Sequence, residues 1–135
     1  MFEGKIEISV DASLPYRIFT VFNETKGTLL HVGILPSGIK TQFHAERYAI
    51  LYALRNYRMS FPLLIIFNDS REVIKSFNVR WKNVCVKFKN PNRADDYIKR
   101  IIREYHGVFT PYINKRSPIY NVEVPISRYF RMRMG

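Results

Sequence analysis

The chain has 135 residues, 47% of them hydrophobic, which suits one compact domain with its own core and excludes a disordered or fibrous chain. A single cysteine, Cys85, excludes an internal disulfide and a thiolate metal cage. The formal net charge of +11 is uneven: residues 1–77 carry 9 Lys/Arg against 7 Asp/Glu, and residues 78–135 carry 13 against 4, so the last 58 residues hold +9 of the +11.

In chain order, "KIEISVD", "YRIFTVFNE" and "GTLLHVGILPSG" alternate apolar and polar residues and are rich in β-formers. The glycine-containing polar cluster "NETKG" separates the last two, so three consecutive antiparallel strands are expected. Ala45, Tyr48, Ala49, Leu51, Tyr52 and Leu54 then mark a helix of about 15 residues with Glu46 in its first turn, ending near "NYRMSFP", where Pro62 forbids continuation. "LLIIF" is a short continuous apolar run, the pattern of a parallel strand buried on both faces. "DSREVIKSF" predicts a short helix capped by Asp69 or Ser70, and "NVCVKF" a further strand in which Cys85 is buried. "NRADDYIKRIIREY" predicts a closing amphipathic helix. The order is βββαβαβα, with an extension from about residue 106.

No apolar run reaches the roughly 20 residues that span a bilayer, the longest clean one being "FPLLIIF" at 61–67. The start "MFEGKIEISV" lacks the basic-then-apolar pattern of a secretion signal, so a soluble cytoplasmic protein with no membrane partner is expected. The basic surplus reads as a polyanion-binding surface, with nucleic acid the commonest such partner, or as a solvated basic face.

Acids placed on this framework gather at one edge. Asp11 closes the first strand, Glu46 opens the first helix, Asp69 follows the fourth strand and Asp95 starts the last helix. Strand ends and adjoining helix starts converge where open α/β sheets place ligands. Four carboxylates meeting there would repel one another, so a divalent metal is needed to keep them as anions. An all-oxygen site favours Mg2+ or Mn2+ over zinc, and two such ions about 4 Å apart suit phosphodiester chemistry. Each acid also has a local reading: Asp69 as an N-cap, Asp95 and Glu46 as partners of a helix dipole. An acid closing a strongly apolar strand, as Asp11 does, has no such local role.

The residues resemble the ribonuclease H superfamily, most closely type 1 ribonuclease H. "ISVDAS" is similar to its first strand and Asp-Gly-Ser-like motif, and "TQFHAERYAILYALR" to its Thr-Asn-Asn-x-x-Glu helix entry. "LLIIFNDSREVI" resembles its Thr-Asp-Ser strand end, and "NRADDYIKR" its closing Ala-Asp helix. The resemblance covers roughly residues 5–104, with gaps of 35, 23 and 26 residues between the acids. It implies a mixed five-stranded sheet, three strands antiparallel and then parallel ones, flanked by helices. Residues 1–105 would be the catalytic domain and 106–135 a basic, aromatic extension.

The implied activity is metal-dependent endonucleolytic hydrolysis of the RNA strand of RNA/DNA hybrids, leaving a 5′-phosphate and a 3′-hydroxyl. Asp11 would lie between two ions, Glu46 and Asp69 nearer the leaving group, and Asp95 at the ion that activates water. Thr41 matches a threonine that holds a DNA-strand phosphate, and Gln42 an amide that reads the RNA strand; Arg93 is assigned to nucleic-acid binding. The pattern departs from the family in three places. His31, His44 and His106 all fall outside the Asp69–Asp95 interval, Phe43 replaces the second asparagine, and Pro91 stands where an asparagine is usual, flanked by Asn90 and Asn92. His44 reads as a packing or surface residue rather than a ligand.

The C-terminal "RYFRMRM" interleaves arginine and aromatic residues, which suits stacking on single strands and phosphate pairing through Arg128, Arg131 and Arg133. The other reading has "IYNVEVPI" pairing as an added strand and the tail packing on the domain. Two further functions fit the same residues: a noncatalytic nucleic-acid-binding module that keeps the fold, and a nuclease of this fold acting on branched DNA or duplex RNA. Four intact acids argue against a retired site.

Overall fold

In the computed structural model, which describes residues 4–78 and 81–113 with side chains as far as residue 103, the alternating N-terminal stretch forms β1 (Ile6–Ser13). It continues into β2 (Ile18–Asn23) and β3 (Thr28–Ile34), followed by α1 (Gln42–Tyr57), β4 (Leu64–Asn68), α2 (Arg71–Lys75), β5 (Val84–Phe88) and α3 (Arg93–Ile113). The five strands make one mixed sheet in the order β3-β2-β1-β4-β5. β1, β2 and β3 pair antiparallel, while β4 runs parallel to both β1 and β5. This is the ribonuclease H-like architecture that the motif resemblance implies.

The period of two in β1 sorts its side chains between two cores. Ile6, Ile8, Val10 and Ala12 join Phe19 and Val21 of β2 and Leu64 and Ile66 of β4 under α1. On the other face, Ile18, Phe22, Leu29 and Val32 meet Ala94, Ile98 and Ile101 of α3. Ser9 and Asp11 take the alternate positions of β1, so Asp11 belongs to the face that carries α3.

The buried face of α1 is Ala45, Glu46, Ala49, Ile50, Ala53 and Leu54. Of the residues expected there, Tyr48, Leu51 and Tyr52 are only partly buried. Alanines at positions 45, 49 and 53 form a row of small side chains at helical spacing, which lets the helix lie close to the sheet and pushes bulky residues to its flanks. β4 matches its reading as a parallel strand buried on both faces. Cys85 does not match: it is half-buried, in a strand that among the described residues lies at the sheet edge with β4 as its one neighbour. The last helix runs from Arg93 to Ile113. The rest of the C-terminal extension, with "IYNVEVPI", Arg128, Arg131 and Arg133, lies outside the described residues. Among the described residues no helix is long and apolar enough to cross a membrane.

One glycine is demanded by packing. A Cβ built on Gly33 of β3 would lie 2.5 and 2.7 Å from ring carbons of Phe19 and 2.8 Å from His31 Nε2. Phe19 cannot retreat easily, since its ring is held against His31, Tyr48 and Tyr52. Strand propensity alone favours valine over glycine in a strand. The packing overrides it, so Gly33→Val should lower stability by about 1–3 kcal/mol. Thermal or urea unfolding checks this, and an unchanged or raised midpoint would contradict the role given to the Phe19 contact.

Candidate metal centre

The site forms where two strands part. The β1–β4 ladder ends at the pair Ser9 and Phe67, whereas the β1–β2 ladder continues to Ser13 and Ile18. Beyond that fork the Val10 carbonyl takes side-chain donors: Asn68 Nδ2 at 3.2 Å and Asn92 Nδ2 at 3.1 Å. Both asparagines are fully buried or nearly so. They tie the end of β4 and the start of α3 to the backbone immediately before Asp11. Thr20 of β2, which pairs with Asp11, adds a third tie by donating its hydroxyl to the Ala94 carbonyl at 2.8 Å.

The helix caps fall to other residues than the acids. Ser70, not Asp69, caps α2: its Oγ accepts from Val73 N, while Asn68 Oδ1 accepts from Ser70 N. Asn92 caps α3, its Oδ1 accepting from Ala94 N at 2.7 Å and Asp95 N at 3.3 Å. Glu46 is not in the first turn of α1, contrary to expectation, because Thr41 is the N-cap and the helix begins at Gln42. The helix dipole fades within that first turn, so it does not account for a buried glutamate beyond it. The capping work done by Thr41, Ser70 and Asn92 leaves the four acids free to face one another.

One carboxylate oxygen from each of Asp11, Asp69 and Asp95 lies within 4.8 Å of the others. Glu46 stands outside this trio and reaches it through Asp11, whose carboxyl group is within hydrogen-bonding reach of both Glu46 and Asp95. Asn68 Nδ2 donates to Glu46 Oε1 at 2.9 Å, and Gln42 Nε2 donates to Glu46 Oε2 at 2.8 Å. Among the described residues Asp95 has one cationic partner, Lys99 Nζ at 2.9 Å, one turn along α3 on its solvent side. Asp96, its sequence neighbour, is exposed and takes no part in the trio.

Burial dominates the electrostatics. Asp11 is 4% exposed, and desolvation together with the neighbouring Glu46 pushes its carboxyl up to about 11. Glu46 is likewise raised by burial, against the pull of its hydrogen bonds from Asn68 and Gln42. Asp69 is raised by burial and then by the charge of Asp95. Without a cation, the protein would hold protons here at neutral pH. Every donor in the trio is a carboxylate oxygen, and the oxygens lie close enough to share one hard ion, so the residues fit a divalent cation.

Other expected binding residues have structural partners. Thr41 Oγ1 is occupied with His44 N and Nδ1, which accounts for both residues at the entry to α1. Gln42 also donates to Ala12 O and accepts from Leu14 N, so its amide clamps the end of β1 to Glu46. Arg93 is exposed, with Nε 3.9 Å from Glu24 Oε1 and its guanidinium over the Phe22 ring, and makes no ion pair with the acid cluster. His31 stacks on Tyr52, away from the acids. Sequence reasoning missed Asn68, Asn92 and Thr20. Asn68 adjoins Asp69 in "NDS" and Asn92 precedes "RAD", the one signal that could have marked them.

No family model matches the chain, and no match is found among curated proteins. Among solved structures the chain is similar to RNase H1 from the halophilic archaeon Halobacterium salinarum NRC-1, with 14% sequence identity and a TM-score of 0.47. That similarity covers 65% of this chain and 87% of the archaeal one. The strand order, the strand directions and the meeting of Asp11, Asp69 and Asp95 describe a ribonuclease H-like fold with an acidic cluster suited to a divalent metal.

The raised carboxyls dictate how stability depends on pH. In their window, from the unfolded value of about 4 upward, the metal-free folded state binds more protons than the unfolded chain, so its stability falls as pH rises. Asp11→Asn removes the most perturbed of these groups and places an amide donor beside Glu46. It should stabilise the metal-free protein at neutral pH by on the order of 2–4 kcal/mol and flatten the pH dependence. Added Mg2+ should raise the melting temperature of the unsubstituted protein and have little effect on Asp11→Asn. Melting curves across pH with and without the ion check both, and a metal-free stability that climbs from pH 4 to 8 contradicts the buried cluster.

Proposed function

We propose that the chain is a divalent-metal-dependent endonuclease that hydrolyses the RNA strand of RNA/DNA hybrids. The observation that carries the reading is the meeting of Asp11, Asp69 and Asp95 within 4.8 Å beside the buried Glu46, in a chain whose net charge is +11. A basic exterior attracts a polyanion, while the acidic centre holds cations where its backbone must be cut.

Asp11, within reach of both Glu46 and Asp95, is the ligand two ions would share. By the resemblance to type 1 ribonuclease H, Glu46 and Asp69 would serve one ion and Asp95 the other. Bound divalent ions supply the Lewis acidity for in-line displacement at phosphorus and lower the pKa of the attacking water. The protein's part is to fix the ligands. Asn68 and Gln42 each donate to one oxygen of Glu46, which holds the carboxylate in one orientation as an acceptor. Asn68 and Asn92, joined at the Val10 carbonyl, keep Asp69 and Asp95 in register with Asp11. Support for hybrid as the substrate comes from the motifs "ISVDAS", "TQFHAER", "LLIIFNDS" and "NRADD", which together are most like type 1 ribonuclease H.

A cleavage panel of RNA/DNA hybrid, duplex RNA, duplex DNA and branched DNA, with and without Mg2+, tests the proposal. Hybrid should be cut only with the metal, and Asp11→Asn should abolish cutting while sparing the fold. No cleavage of any member would favour a noncatalytic binding module, and preference for branched DNA or duplex RNA would move the substrate but keep the site.

Asp95 and Asp96 provide an internal control, being neighbours of the same charge on one helix whose side chains diverge by about 100°. Asp95→Asn should cost roughly 100-fold or more in kcat, whereas Asp96→Asn should leave it within a few-fold. The reverse order would remove Asp95 from the site.

A further inference from the structure

The outward side of α3 bears a second feature. Its inward residues, Ala94, Ile98 and Ile101, are sealed against the sheet. On the solvent side, an open cavity is lined, among the described residues, by Asp96, Tyr97, Lys99, Arg100 and Arg103. Positions 96, 99, 100 and 103 fall at i, i+3, i+4 and i+7, so they share one helix face. The face carries three bases against one acid, Asp96, which stands four residues before Arg100. Among the described residues Arg100 and Arg103 form no ion pair, and Arg100 has its guanidinium 5.3 Å from the centre of the Tyr97 ring. Tyr97 is in turn braced by Phe22 at 5.3 Å, so the ring under Arg100 is itself packed.

Two relations connect this face to the acid cluster. Lys99, which lines the cavity, also contacts Asp95 at 2.9 Å, so the basic stripe begins where the trio ends. In the other direction, α3 leads into residues 114–135, which carry 5 Lys/Arg against 1 Asp/Glu. From Asp95 to Arg103 the helix advances roughly 12 Å at 1.5 Å per residue. One strand of nucleic acid places a phosphate about every 3.4 Å, so that length matches roughly three to four phosphates.

We infer that the Tyr97–Lys99–Arg100–Arg103 face of α3 is a binding site for the phosphate backbone of a nucleic-acid strand leaving the acidic centre. The inference rests on the nuclease reading and extends it, giving the protein a one-sided footprint of about three to four nucleotides beyond the cut. Guanidinium groups suit the role because they bind phosphate oxygens through paired donors. The contact is to backbone only, so it is blind to base sequence.

The test uses the full chain carrying Asp11→Asn, so that a labelled RNA/DNA hybrid stays intact, and measures affinity against salt. Adding Arg100→Gln and Arg103→Gln together should weaken binding on the order of tenfold. It should also reduce the slope of log affinity against log salt by up to about 2 units, near 0.9 for each phosphate that the arginines no longer neutralise. Arg100→Lys with Arg103→Lys should largely keep the slope, since the charge remains. Hybrids shortened on the side served by α3 should bind the parent more weakly and no longer distinguish it from the glutamine variant. If the parent binds hybrid and the glutamine variant matches it in affinity and slope, the α3 site is overturned and the nuclease reading stands. If the parent binds no nucleic acid at all, both fall. A lowered melting temperature with an unchanged slope also overturns the site, because it assigns the arginines to packing.

Discussion

Like charges crowded out of water are the constraint on which this molecule turns. Asp11 is 4% exposed and has Asp69 and Asp95 within 4.8 Å and Glu46 in contact. Such groups ionise together only if a cation joins them; otherwise they take up protons. The surroundings respect that condition. The groups that hold the acids in place are the amides of Asn68, Asn92 and Gln42 and the hydroxyl of Thr20, all of them neutral. Neutral donors fix geometry without cancelling charge, so the attraction for a divalent ion is preserved. Lys99, the cation in contact with Asp95, approaches from solvent with its side chain 67% exposed, where it can move away.

That arrangement depends on a defect in the sheet. Had β1 and β4 stayed paired along the whole of β1, the Val10 carbonyl would be met by backbone and no room would open beside Asp11. Because the ladder stops at Ser9 and Phe67, two asparagine side chains enter and bond the same carbonyl. A buried carbonyl left unbonded would cost about 1–3 kcal/mol, so the asparagines stabilise the fork as well as shape it. Asn68 is shared three ways, among Val10 O, Glu46 Oε1 and Ser70 N. One side chain thereby couples β1, α1 and α2 at the site. The acids sit on strand ends and helix starts locked by buried hydrogen bonds, which suits a centre that must hold its ligands within fractions of an ångström.

Charge is segregated on a larger scale too. The chain carries twice as many basic as acidic residues, yet four of its eleven acids stand together at one site. A basic exterior around a negative centre attracts a polyanion at long range and leaves local repulsion at the centre to be balanced by metal. The cations around the sheet are also organised by aromatic rings: Arg71 lies over Phe88, Lys89 over Phe67 and Arg93 over Phe22. Such contacts hold exposed cations in defined places at small cost in desolvation.

Much of this was legible in the amino-acid sequence. Periodicity located five strands and three helices in order, because a half-buried strand or helix must repeat its apolar residues at the period of its own geometry. The acids stood out since Asp11 has no local reason to end an apolar strand. Three things escaped. The burial of Ile50 and Ala53 in place of Leu51 and Tyr52 depends on how closely α1 approaches the sheet, which small residues decide only once a partner surface exists. The half-exposure of Cys85 goes with the place of β5 at the edge of the sheet among the described residues, a matter of strand order rather than of its own residues. The roles of Asn68 and Asn92 depend on a carbonyl 58 and 82 residues away in sequence. Sequence by itself determined which residues carry charge and which elements hold them, because those follow from side-chain chemistry and local period. Only the tertiary structure decided that Asp11, Asp69 and Asp95 share one site while Glu46 reaches it through Asp11, because proximity between elements is set by the register and parting of strands.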